Sequence, residues 1–177
     1  MKVILLTLTA ALAAYAQCPN VSGTYRCEAI GGEFPEEAPA IAAFTQTQDE
    51  QTGAFELNVN LDGKTQTYSN TNPTIQRNKV PFLPFINTVV RSSLTCKDQK
   101  IEIQGKASYE INAAVLAKYP EISVESVQES VQELNAGEQY TMDTTLESLS
   151  KNEIVVTQVL TESGLEPELY LKFKCQK

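Results

Sequence analysis

The chain has 177 residues, a net charge of −8 at neutral pH, four cysteines and no histidine. An acidic surface repels phosphate backbones and anionic lipid headgroups, so the composition argues against nucleic-acid binding and against electrostatic attachment to membranes. Without histidine, Ser-His and Cys-His nucleophile pairs cannot form, and the most versatile general base near neutral pH is missing. We therefore expect a protein that is not an enzyme.

Residues 1–16 have the pattern of a secretory signal peptide. Lys2 supplies the positive start, an apolar run follows, and Ala14 and Ala16 offer the small side chains that precede a cleavage site. The apolar run is shorter than the roughly twenty residues that a membrane-spanning helix needs. The sequence predicts cleavage near Ala16, a single domain over residues 17–177, and a secreted or periplasmic location without a membrane span.

The cysteines predict two disulfide bonds, because an even count in an exported chain is typical of a disulfide framework. Cys27, Cys96 and Cys175 fall on the apolar faces of predicted strands, whereas Cys18 precedes the first strand. If the last strand lies antiparallel beside the first, Cys175 comes near the N-terminal segment. That arrangement favours bonds from Cys18 to Cys175 and from Cys27 to Cys96, although sequence alone leaves all three pairings open. The spacings fit no zinc motif, and we expect no metal and no cofactor.

Alternation of apolar and polar residues predicts about eight to nine strands. The clearest case is residues 100–111, where every second side chain from Ile101 onward is apolar or small. Asp62 and Gly63 separate two such runs and form the residue pair that best tolerates the positive φ angles of a tight hairpin turn. The other predicted strands cover residues 22–29, 41–48, 54–61, 64–70, 86–96, 139–149, 153–161 and 169–175.

Residues 123–136 break this pattern, because apolar side chains recur there three and four positions apart, as in an amphipathic helix. Ser123 can cap its start and Gly137 lies just past its end. Short connections between the strands favour antiparallel neighbours. The predicted fold is mainly β: an antiparallel meander closed as a barrel, or alternatively a sandwich, with one helix packed against it.

The interior of such a barrel could hold a small apolar ligand. The inward-facing Gly105 and Ala107 leave room in a closed sheet of about eight strands. A filled core is the alternative, because small residues equally permit tight curvature of the sheet. The residues predicted to line a ligand site are Tyr25, Ile103, Tyr109, Met142 and Phe173.

Residues 80–86 are bulky and apolar but are interrupted by Pro81 and Pro84. Proline donates no ladder hydrogen bond, so this segment should not form a regular central strand. Its aromatic rings either turn into the core or form a surface patch that docks a protein partner. The candidate partner contacts are Phe82, Leu83 and Phe85.

Carboxylates offer the remaining route to catalysis, since two facing acids can hydrolyse glycosides. The alternation places Glu56, Glu102 and Glu110 on polar faces, and it places Asp143 between inward-facing neighbours. Such acids are solvated surface groups, so we predict no catalytic residue.

Gly23-Thr24-Tyr25, which opens the first predicted strand, resembles the G-x-W element that opens the barrel of lipocalins and related calycins. Tyr25 stands where those families usually have tryptophan, and the predicted helix precedes three strands instead of only the last one. The resemblance implies an exported antiparallel barrel that carries a small apolar molecule. The alternative function is that of an envelope, adhesion or inhibitor module with a filled core that binds another protein.

Overall fold

The computed structural model describes residues 18–32, 41–49, 51–97, 99–137 and 139–177, and the predicted signal peptide lies outside them. The described part contains ten strands and two helices. In chain order these are β1 (Gly23–Gly32), β2 (Ile41–Gln48), β3 (Phe55–Leu61), β4 (Lys64–Ser69), β5 (Thr74–Val80), β6 (Leu83–Lys97), β7 (Lys100–Ile111), α1 (Ala113–Leu116), α2 (Val124–Ala136), β8 (Tyr140–Ser150), β9 (Glu153–Glu162) and β10 (Glu168–Gln176).

The ten strands form one antiparallel sheet in the order β4-β3-β2-β1-β10-β9-β8-β7-β6-β5. Apart from the β1–β10 pair, neighbours in the sheet are neighbours in sequence, and that pair joins the two ends of the meander. The edges β4 and β5 meet near their connecting turn, where the Thr74 hydroxyl donates to the Thr67 carbonyl oxygen. The sheet therefore curves into a nearly closed barrel, which confirms the predicted fold class and excludes the sandwich.

The hairpin between β3 and β4 forms at the predicted turn. Asp62 has a φ of 48° and Gly63 a φ of 79°, the left-handed conformation that a tight two-residue turn requires at both positions. This turn sets the register of Leu61 against Lys64 and therefore which side chains of β4 face the interior.

The strand β5 is the one that the alternation did not predict. Its side chains are mostly polar and exposed because it lies at an edge of the sheet, so it carries no regular apolar face. The next strand, β6, already begins at Leu83 and includes Pro84. Its ladder with β7 starts only at Ile86, opposite Ile111, so the missing N–H of proline removes no bond from that ladder.

The predicted amphipathic helix is confirmed as α2. The Ser123 hydroxyl accepts from the Ser126 N–H at 3.4 Å, and Val127 and Val131 are buried. The Asn135 side chain bonds to both backbone groups of Tyr109, with N···O distances of 2.8 and 2.9 Å, and so attaches the helix to β7. Together with α1 it covers the inward-facing residues at one end of β6 and β7.

The two predicted disulfides are present, but the favoured pairing is wrong. Cys27 bonds to Cys175, and Cys18 bonds to Cys96. The expected antiparallel contact between β1 and β10 does form, yet its register places Cys27 directly opposite Cys175, so these two cysteines bond across the strands. The N-terminal segment, residues 18–22, instead crosses the opposite end of the barrel from the helices and reaches Cys96 near the end of β6.

The disulfide pairing can be checked by counting thiols. Replacing Cys18 and Cys96 together by alanine removes one whole bond, so titration of the denatured, unreduced protein should detect no free thiol, and stability should fall by about 2–4 kcal/mol. Replacing Cys18 and Cys175 removes one partner of each bond. The remaining Cys27 and Cys96 should then be detected as free thiols or should form a non-native bond. Free thiols in the first variant and none in the second would mean that Cys18 pairs with Cys175.

Candidate functional site

One end of the barrel interior is densely packed. The N-terminal segment inserts Val21, which is fully buried, and Gln46 of β2 accepts a hydrogen bond from the Val21 N–H at 3.1 Å. Tyr25 is also buried there, with its ring edge-on to Phe44 at 5.7 Å between centroids and the Lys177 Nζ 5.1 Å from its centroid. The side chains at this end of the barrel interior therefore pack against one another, and Tyr25 also borders a pocket of about 750 Å³ beside Lys174 and Lys177, separate from the cavity described next.

Beyond that packed end lies a cavity of about 100 Å³, named here the interior cavity. Every strand except β5 and β6 contributes to its wall, because alternation turns one face of each strand inward. Its polar lining residues are Gln66, Tyr68, Thr144 and Gln158. Its apolar lining residues are Ala42, Phe44, Val59, Leu61, Ile103, Leu146, Val156 and Phe173, together with the disulfide of Cys27 and Cys175.

The small residue that borders the interior cavity is Ala42, not Gly105. A Cβ placed on Gly105 would lie 3.4 Å from side-chain atoms of both Ser92 and Val90, so β6 fills the space beside that glycine. Ala42 is 1% exposed and faces Leu61 across the β2–β3 ladder. The small side chain at the cavity wall therefore lies on β2, which composition alone could not indicate.

Two of the five residues predicted to line a ligand site, Ile103 and Phe173, border the interior cavity. Tyr25 lies in the packed end. Tyr109 is half-buried against the helices, and Met142 is half-buried opposite Gly105 on β7. The lining residues on β2, β3, β4, β8 and β9 were missed. For β3 and β4 the hairpin at Asp62 and Gly63 contained the signal, since it sets the register of these two strands.

The polar side chains of the interior cavity form two pairs on opposite sides of the barrel. On β4, the Tyr68 hydroxyl donates to the Gln66 side-chain oxygen. On β8 and β9, the Gln158 Nε2 donates to the Thr144 hydroxyl at 3.4 Å. Burial raises the pKa of the Tyr68 hydroxyl above its ordinary value of 10.0, against the smaller opposing effect of a hydrogen bond with Gln76. The tyrosine is therefore uncharged at neutral pH.

The three candidate partner contacts differ in environment. Phe82 is 100% exposed. It is the second of the two central residues of the turn between β5 and β6 and has a φ of 67°, a conformation in which glycine or asparagine is usual. Leu83 is 39% exposed. Phe85 is half-buried, and its ring meets that of Tyr119 edge-on with 6.3 Å between centroids. Phe82 thus points into solvent, whereas Phe85 helps to hold α1 on the barrel.

The acids considered for catalysis lie apart from the interior cavity. Glu56 and Glu102 are exposed, and Glu110 pairs with Arg77 at 2.6 Å. Asp143 accepts a hydrogen bond from Gln104 at 3.0 Å on the outer face of the sheet. Among the residues that the structure describes, no three Asp, Glu or Cys side chains lie close enough together to hold a metal ion.

No protein-family model matches the chain, and no curated protein matches it significantly. The antiparallel barrel is compatible with the lipocalin-like architecture that Gly23-Thr24-Tyr25 implies, and this compatibility concerns the fold alone. None of the described helices is both long and apolar enough to cross a membrane.

Substitutions at Phe82 and Phe85 should have opposite effects on stability. Phe82→Asn removes a bulky residue from a left-handed backbone conformation without loss of buried surface, because Phe82 is fully exposed. Urea denaturation should therefore show a free energy of unfolding about 1 kcal/mol higher than that of the wild type. Phe85→Ser removes the contact with Tyr119 and should lower stability by about 2 kcal/mol. Equal losses in the two variants would contradict these different environments.

Proposed function

We propose that this protein is a secreted or periplasmic, non-enzymatic barrel that binds a small, mostly apolar molecule in the interior cavity. The observation that carries the proposal is the cavity itself: apolar side chains from most of the barrel wall surround a space of about 100 Å³, and only four uncharged polar side chains interrupt them. Binding sites for small molecules generally combine such an apolar wall with a few polar groups.

The volume restricts the size of the ligand. Pockets for drug-sized molecules measure roughly 300–1,000 Å³, whereas an engineered apolar cavity of about 150 Å³ in another protein binds benzene. A cavity of about 100 Å³ suits a molecule with only a few non-hydrogen atoms. The proposed cargo is therefore a small molecule, and a long lipid chain would require side chains such as Val59 and Leu61 to move.

Two further features support the location and the absence of catalysis. Both disulfides are of the kind that persists in oxidising compartments, in agreement with the signal-peptide pattern of residues 1–16. The chain has no histidine, and the acids Glu56, Glu102, Glu110 and Asp143 lie outside the interior cavity. Binding and release of a ligand need no proton transfer, so this composition is compatible with a carrier.

Filling the cavity tests the proposal. In the wild type, titration with 1-chlorobutane should shift the methyl NMR signals of Ile103 and Val156, which line the cavity. Ala42→Leu adds three carbons at the cavity wall and should abolish these shifts while leaving the protein folded. Ala43→Leu makes the same change on the other face of β2 and should leave binding intact. Absence of any shift in the wild type would refute the proposed function.

Phe82 supports a second candidate function, recognition of a protein partner through the β5–β6 turn. A fully exposed aromatic ring in a left-handed conformation contributes nothing to the core, and it incurs a local strain that glycine or asparagine would avoid. Such a residue is better explained by contact with another molecule than by folding.

This second function predicts that a partner recovered with the wild type from its native source is lost from Phe82→Asn. Leu165→Asn is the matched control, because Leu165 is another apolar residue at a turn, 61% exposed, and its removal should leave partner recovery unchanged. Equal recovery with all three proteins would exclude Phe82 as a contact.

A further inference from the structure

We infer that the ligand of the interior cavity is electrically neutral and carries a hydrogen-bonding group such as a hydroxyl or a carbonyl. This inference rests on the proposed function, because it specifies the chemistry of the molecule in the same cavity. Two observations support it: the polar side chains that line the cavity are uncharged, and the charged side chains of the described residues lie outside its lining.

The pair of Thr144 and Gln158 interrupts an otherwise apolar stretch of wall. The two residues lie opposite each other in the β8–β9 ladder, and the next inward pair along that ladder is Leu146 with Val156. Both side chains are half-buried, and a polar group that is shielded from water without partners lowers stability, by about 1–3 kcal/mol when it is completely buried. Leucine or valine would fill the same positions without that cost, so folding alone does not account for the pair.

The hydrogen-bonding capacity of this pair exceeds the one bond that it forms. Gln158 Nε2 donates to the Thr144 hydroxyl at a long 3.4 Å. An amide also has a second N–H and a carbonyl oxygen, and a threonine hydroxyl can donate as well as accept. A ligand hydroxyl could accept from one member of the pair and donate to the other, and a ligand carbonyl could accept from either.

Ionised side chains are absent from the described lining of the interior cavity. Its titratable group is Tyr68, which is neutral for the reason given above. The three arginines of the chain, Arg26, Arg77 and Arg91, are all exposed. The wall therefore offers no cation to compensate a buried carboxylate and no anion to compensate a buried ammonium.

Two ionisable residues continue the inward-facing series of their strands, but they lie at the rim of the barrel. Lys64 is exposed at the β3–β4 turn, and Glu162 is half-buried at the last position of β9. Neither lines the interior cavity. A charged ligand inside would lose its hydration without gaining a counter-ion, which is far more unfavourable than burying a neutral group.

The inference can be tested with three probes of nearly equal size: 1-chlorobutane, butan-1-ol and butanoate. Methyl NMR titration at pH 7.5 should show butan-1-ol binding at least tenfold more tightly than butanoate. Thr144→Val and Gln158→Leu should each weaken butan-1-ol about three- to tenfold, the effect of losing one neutral hydrogen bond, and should leave 1-chlorobutane unchanged. Gln104→Leu is the control, because Gln104 bonds to Asp143 on the outer face.

The outcomes separate this inference from the proposed function. Failure of 1-chlorobutane to bind would refute the proposed function itself. Binding of 1-chlorobutane with butanoate as tight as butan-1-ol would overturn the inference and leave the apolar cavity in place. Equal effects of Thr144→Val on butan-1-ol and 1-chlorobutane would show that the threonine shapes the cavity and does not bond to the ligand.

Discussion

The pairing of β1 with β10 is the interaction on which the rest of the structure depends. The other neighbours in the sheet are consecutive in sequence and would pair equally well in an open sheet. Only the β1–β10 ladder joins the two ends of the meander, and the Cys27–Cys175 disulfide makes that junction covalent across 148 residues of chain. Because the junction curves the sheet on itself, the inward faces of the strands converge on one interior space.

Different structural elements close that space at its two ends. At one end, the N-terminal segment inserts Val21 and is held to β6 by the disulfide of Cys18 with Cys96. At the other, α1 and α2 pack against inward-facing residues of β6 and β7, and Asn135 bonds to both backbone groups of Tyr109. The interior cavity remains between these packed regions, where the wall contains Ala42 and where β4, beside the opening of the sheet, contributes polar side chains.

Much of the fold follows from local patterns. The strands β2 and β7 begin and end where alternation predicts, the Asp62-Gly63 turn forms, and α2 occupies the predicted helical segment. Alternation reports a strand only when one face is buried and the other solvated, so it failed for the edge strand β5. The disulfide pairing and the lining residues on β2 to β4 depend on which strands meet across the barrel, and local periodicity contains no such information.

By itself, the sequence determined the positions of the strands with one buried face, the amphipathic helix, the mainly β class and the presence of two disulfides, because side-chain period, turn chemistry and cysteine count act within short stretches of chain. Only the tertiary structure decided that Cys27 faces Cys175, that Gly105 is covered by β6 while Ala42 borders a cavity, and that Phe82 is exposed while Phe85 is packed. Each of these depends on long-range register and barrel closure, since a shift of one residue in a ladder would turn every inward side chain outward.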